Sequence, residues 1–138
     1  MLRVNMQYSI HVTPRFGDVD GLRHINNTVL PNWFEQARND IFKIFNPDFD
    51  LDLKSWNLIM AHIDLDFINP LYYGKSIEIK TGIIKIGRTS FTVHHEAWQN
   101  NKLAVKGNAV CVHYDFIRNA AVPINDTQKL ALRNYEWE

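Results

Sequence analysis

The chain has 138 residues, zero formal net charge from 15 basic and 15 acidic side chains, and 46% hydrophobic content, which fits one domain over 1–138 with one sizeable core. Balanced charge excludes a nucleic-acid protein driven by bulk electrostatics, and no apolar run approaches a membrane span. The single cysteine, Cys111, cannot close an intrachain disulfide, and Met1–Gln7 lacks the apolar centre of a signal peptide, so a cytoplasmic protein is expected.

Residues 5–13 alternate, with Met6, Tyr8, Ile10 and Val12 on one face and Gln7, Ser9, His11 and Thr13 on the other; this predicts a half-buried strand ended by Pro14. Over 28–45 the period changes. Val29, Leu30, Trp33, Phe34, Ala37, Ile41, Phe42, Ile44 and Phe45 share one broad helical face, the stripe of a helix wrapped by a sheet. Pro31 lacks the N–H for an early helical bond if Asn27 is the cap, so the regular helix is expected to start at Pro31 with Asn26 to Leu30 as a tight entry turn, and Asn46-Pro47 stops it. A polar connection with Asp48, Asp50 and Asp52 follows. Four strands are then predicted, over 58–69, 76–86, 89–98 and 103–116, with reversals at Gly87-Arg88 and Asn100-Asn101. The last is nearly continuous in apolar residues and is expected at the sheet centre. Short turns imply an antiparallel four-strand meander, so the architecture is α+β. The tail, 117–138, shows little periodicity.

Between strand and helix, residues 15–27 gather two carboxylates, an imidazole, two Asn amides and two glycines. A carboxylate just ahead of a helix lies beside free N–H donors and a partial positive charge. Acyl transfer or hydrolysis needs those parts. By spacing alone, Asp18 and Asp20 read first as turn formers.

Arg15-Phe16-Gly17-Asp18-Val19-Asp20, His24-Ile25-Asn26-Asn27 and Trp33-Phe34-Glu35-Gln36-Ala37-Arg38 together resemble the hotdog-fold thioesterases. The branch is the 4-hydroxybenzoyl-CoA thioesterase-like acyl-CoA thioesterases, related to plant acyl-ACP thioesterases. Weaker matches at Ile68-Asn69-Pro70-Leu71, Gly87-Arg88-Thr89-Ser90-Phe91 and 109–116 extend the resemblance over most of 6–118. It implies an antiparallel sheet wrapped around a long central helix, paired into a homodimer or homotetramer. The implied substrates are acyl thioesters of CoA or acyl carrier protein. No metal or redox cofactor is expected, CoA entering as part of the substrate.

The resemblance makes Asp20 the catalytic carboxylate, as nucleophile or general base. It puts the oxyanion donor at the backbone N–H of about Asn27. His24 either assists the thioester chemistry or holds the loop. Some relatives use a helix glutamate, so Glu35 is the alternative carboxylate; its other reading is an ion pair with Arg38. Asp18 reads as structural, paired with Arg15 or Arg38. Lys85 and Arg88 flank a turn and either bind the CoA phosphates or form a solvated hairpin tip. One departure stands out: Arg23 replaces the family's glycine. It is strained if that backbone has a positive φ; otherwise it brings a charge to the substrate arm. Leu30 replaces the usual aromatic. A non-hydrolytic acyl-binding module on the same fold is the competing reading.

Other motifs carry less chemistry. His94 and His95 are adjacent in a strand and point to opposite faces, so they cannot chelate together. Asp48-x-Asp50-x-Asp52 lacks the glycine and terminal glutamate of a calcium loop. Cys111, in an apolar strand, reads as a buried inert thiol.

Overall fold

Strand β1 (Tyr8–Val12) keeps the expected alternation, Tyr8, Ile10 and Val12 being half-buried while Ser9 and His11 are exposed. It opens a computed structural model that describes residues 6–138; the predicted strand start at Asn5 and most of the Met1–Gln7 segment lie outside the described residues. Beyond β1 come a 3-10 turn at Phe16–Asp18 and a second at Asn27–Val29.

The single helix expected over 28–45 is instead two, α1 (Leu30–Ala37) and α2 (Asn39–Phe45). Arg38 sits at the break. Its N–H bonds the Glu35 carbonyl at 3.0 Å and its own carbonyl takes the Ile41 N–H at 2.9 Å, a succession of i to i−3 bonds that tightens the winding. The Tyr8 hydroxyl donates to the Ala37 carbonyl, satisfying an acceptor at the end of α1.

The remaining strands are β2 (Leu58–Phe67), β3 (Ile77–Ile86), β4 (Ser90–Gln99), β5 (Lys102–Asp115) and the short β6 (Ala120–Ala121). All pair antiparallel in the order β1-β3-β4-β5-β2, β6 adding to β5. Two expectations are corrected here. The meander has three strands, not four, because β2 lies beyond β5 rather than beside β3. The link from β2 to β3 crosses the end of the β4–β5 hairpin. The Ala104 carbonyl takes the Ile68 and Asn69 N–H groups, and the Gln99 side chain bonds the Tyr72 N–H and the Tyr72 and Lys75 carbonyls. The central strand is therefore β4, with β5 one place off centre. The hairpin turn has the conformation its sequence demands: Asn100 and Asn101 have φ of 52° and 61°, as a two-residue type I′ turn requires.

The tail holds a helix that periodicity missed, α3 (Asp126–Arg133), set by a capping box between Asn125 and Gln128. Its Leu132 is fully buried.

The helices pack against the sheet through two apolar clusters. One joins Leu30, Trp33, Phe34 and Ala37 to Ile77, Ile79, Ala97 and Val105; the other joins Ile41 and Phe45 to Ile83, Phe91, Val93 and Cys111. Between them runs a polar seam. Thr81 falls between Ile79 and Ile83, His95 between Val93 and Ala97, and Arg38 between Ala37 and Ile41. Gly107 continues the seam opposite His95. A Cβ there would lie 2.2 Å from the Asp64 carbonyl oxygen, so β5 and β2 approach this closely only at glycine.

Candidate active site

The loop from β1 to α1 is tied to itself. Asp18, 1% exposed, accepts from the Arg15 N–H at 2.7 Å and the Arg15 guanidinium at 3.1 Å. Burial pushes its carboxyl pKa up, but the bonds and charge of Arg15 outweigh that and leave it below the ordinary 3.8. Of the two arginines proposed for Asp18, the partner is Arg15. The Asp18 carbonyl takes the Asn26 N–H at 2.7 Å.

Inside this frame a second turn sets Asp20. Its carbonyl accepts from the Arg23 N–H and its N–H bonds the His24 carbonyl. Its Oδ1 accepts from the Leu22 N–H at 2.8 Å and the His24 N–H at 3.3 Å. The turn forces Arg23 to φ 64°, the left-handed region where glycine costs nothing. The Ile25 N–H then bonds the Leu71 carbonyl at 2.8 Å, docking the loop on the β2–β3 connection. Asn26 caps the second 3-10 turn, accepting from the Thr28 N–H at 3.0 Å. Asn27 is the first residue of that turn, where a backbone N–H has no acceptor within the helix.

Asp20, His24 and Asn27 converge on one cavity of about 570 Å³. Its other walls are mostly apolar, including Leu22, Ile25 and Leu30 from the motif side, Phe67 from the end of β2, and Ile68 and Leu71 from the β2–β3 connection. His24 packs edge-on against Tyr72, centroids 5.4 Å apart. The arrangement sets a carboxylate, an imidazole and the first residue of the helix entry around a largely apolar space.

The other expected residues lie elsewhere. Glu35 is exposed and borders a separate cavity of about 190 Å³ with Trp56, Met60 and Cys111. The expected Glu35–Arg38 ion pair does not form, because Arg38 turns into the core, 4% exposed, and donates to His95 Nε2 at 3.1 Å. Lys85 and Arg88 are exposed at the β3–β4 turn. Val12, next to the motif, pairs with Ile77 at the opposite end of β3, so a ten-residue strand of roughly 30 Å separates that turn from Asp20 in one chain. Arg23 is not among the cavity walls.

Two features escaped the sequence reading. The cavity wall Phe67–Leu71 was visible only as the short Ile68-Asn69-Pro70-Leu71 match. The buried Arg38–His95–Thr81 group was signalled by parity alone, His95 sharing a face with Phe91, Val93 and Ala97. Arg38 can only donate, so His95 accepts at Nε2 and carries its proton on Nδ1, 2.9 Å from Thr81 Oγ1. Burial, reinforced by the Arg38 charge, holds His95 well below the ordinary 6.5. Arg38 Nε is buried with no partner among the described residues. Burial also pushes the Cys111 thiol up to about 11, the state of an inert thiol. His94, on the other face as expected, bonds Asn108 and Glu96. The acidic run is a capped turn, Asp50 accepting from the Asp52 N–H and Asp52 from the Lys54 N–H. No helix among the described residues is long and apolar enough to cross a membrane.

The model of the thioesterase-like superfamily matches residues 14–132. Among solved structures, a predicted thioesterase from Bacillus stearothermophilus is 38% identical with a TM-score of 0.90, covering 96% of this chain and 98% of that one. A thioesterase from Thermus thermophilus, complexed with coenzyme A and Zn, is 26% identical with a TM-score of 0.78, covering 91% and 96%. The DHNA-CoA thioesterase of Staphylococcus aureus, 17% identical with a TM-score of 0.71 over 86% and 80%, shares the fold. Comparison with the curated proteins gives no significant match.

Proposed function

The chain belongs to the thioesterase-like superfamily and has its hotdog fold, and from that premise we propose that it hydrolyses acyl-CoA to free acid and CoA at the Asp20 cavity. The observation that carries this reading is the convergence of Asp20, His24 and Asn27 on one largely apolar cavity. Two routes fit. In one, Asp20 attacks the thioester carbonyl, the C–S bond breaks, CoA leaves as the thiolate, and water cleaves the resulting anhydride. In the other, Asp20 takes a proton from a water that attacks the carbonyl directly, and the tetrahedral adduct breaks its C–S bond to release CoA as the thiolate, which takes up the proton. In both, charge develops on the carbonyl oxygen, and the Asn27 N–H and the positive end of the helix entry stabilise it. His24 orients the carbonyl or moves a proton. No step calls on a metal.

CoA as the carrier is favoured by the coenzyme A complex of the Thermus relative; an acyl carrier protein is the alternative. The phosphates call for cations, and none lines the cavity among the described residues. Strand β2 is a sheet edge, and two-fold antiparallel pairing of two such edges would set the Phe67 end of one chain beside the Leu58 end of the other. The β3–β4 turn is at the Leu58 end, since Thr89 bonds His113 and His113 pairs with Leu58. A homodimer would thus carry Lys85 and Arg88 of one copy toward Asp20 of the next, as a shared CoA site. A tetramer would be built from such pairs, and the proposed setting is cytoplasmic.

The bonds from Leu22 and His24 to Asp20 also suit a loop-holding role, and a non-hydrolytic acyl-CoA binder is the second reading. Thiol release across aromatic, short, medium and long acyl-CoAs decides between them. An enzyme releases CoA thiol from at least one class; saturable binding with no release identifies a binder.

A further inference from the structure

We propose that this cavity accepts only apolar acyl groups and rejects those carrying a carboxylate or a hydroxyl, whether dicarboxylic or hydroxyaryl. The inference rests on the thioesterase reading above and names the substrate class of the same site. Ile25, Leu30, Leu71 and Val105 form a floor that is part of the core beside α1, each at most 6% exposed. A close-packed floor does not part to admit water around a polar substituent. At the rim, Leu22 and Ile68 are 74% and 47% exposed, apolar surface that an acyl chain would cover.

The polar walls are few, and none outside the reacting end is a charged donor. Asp20, His24 and Asn27 belong to the reacting end. Asn69, the one remaining polar wall residue among those described, has its amide nitrogen committed to the Leu103 carbonyl at 2.8 Å. No described lysine or arginine lines the cavity. A carboxylate on the acyl group would therefore lose its water, gain no cation from the cavity lining, since Lys85 and Arg88 of a second copy would be held by the CoA phosphates, and share the space with the Asp20 carboxylate. A hydroxyl would lose its water for little return, a weaker penalty.

The test uses thioether analogues, which bind without turnover. Hexyl-CoA is compared by calorimetry with 5-carboxypentyl-CoA, and S-benzyl-CoA with S-(4-hydroxybenzyl)-CoA. The carboxylated analogue is expected to bind at least about 100-fold more weakly than its parent, and the hydroxylated one at least about tenfold. Smaller ratios overturn the proposal, as does failure of all four to bind. Ile68→Arg, at the exposed rim, adds the missing cation. It should improve 5-carboxypentyl-CoA about tenfold relative to hexyl-CoA; no selective recovery counts against the proposal. Discrimination among the thioethers with no thiol release from hexanoyl-CoA would keep this proposal and remove the hydrolytic one.

Discussion

Asp20 is fixed by two backbone N–H groups on one oxygen, so an isosteric amide keeps the loop but not the charge. Asp20→Asn should lower turnover by roughly two to four orders of magnitude, the range for removal of an acid–base or nucleophilic carboxylate. Glu35→Gln, altering a side chain outside the Asp20 cavity, should be much milder. Both are measured on one accepted acyl-CoA, with thermal melts to confirm folding. A near-active Asp20→Asn beside a dead Glu35→Gln would transfer the role to the helix. Arg23 invites a second test. A left-handed backbone costs an L side chain about 1–2 kcal/mol, partly offset by the entropy that glycine loses. Arg23→Gly should therefore leave stability unchanged or raise it by up to about 1 kcal/mol, with KM unaltered. A raised KM would mean that Arg23 touches the substrate arm.

At the scale of elements, the seam formed by Arg38, His95 and Thr81 is sensitive to acid. Folded His95 stays neutral well below 6.5, whereas the unfolded imidazole protonates near its ordinary value. Above that pH neither state takes the proton. Below it the unfolded chain binds one more, so stability falls with acid by up to about 1.4 kcal/mol per pH unit until folded His95 protonates too. His95→Gln should flatten that segment of the curve in urea melts between pH 7 and 5. Asp18, with its lowered pKa, acts in a separate window: its contribution is present above 3.8 and lost as pH falls through the acid range. Much of this level was readable in advance. Alternation in β1 and the Asn100-Asn101 turn are local signals, and the motif around Asp20 is contiguous, so its loop could be read from one stretch of chain. The place of β2, the break at Arg38 and the Phe67–Leu71 wall depend on partners far along the chain, such as Gln99, His95 and Ala104. The α3 capping box is local, but short amphipathic helices give a weak pattern.

For the whole molecule, the edge of β2, which no described strand covers, is the consequential surface. It runs ten residues with Ile59, Ile63 and Phe67 exposed, the kind of edge that pairs with another chain unless covered. Light scattering at micromolar concentration should report at least a dimer. Ile63→Lys should shift the population toward monomer and, if the CoA site is shared, weaken CoA binding in parallel. A wild-type monomer with full CoA affinity would exclude the shared site.

The seam also divides the molecule into two compartments with different freedom to change. Leu30, Leu71 and Val105 belong to the compartment that floors the cavity, while Ile41, Phe45 and Phe91 belong to the one at the far end. Truncations on opposite sides, such as Val105→Ala with Phe91→Leu, should add within about 0.5 kcal/mol, as separated sites do, whereas two within one compartment should not. A sequence drifting toward new acyl groups can then remodel one end step by step. The other end keeps the reserve of stability from which each destabilising step is drawn.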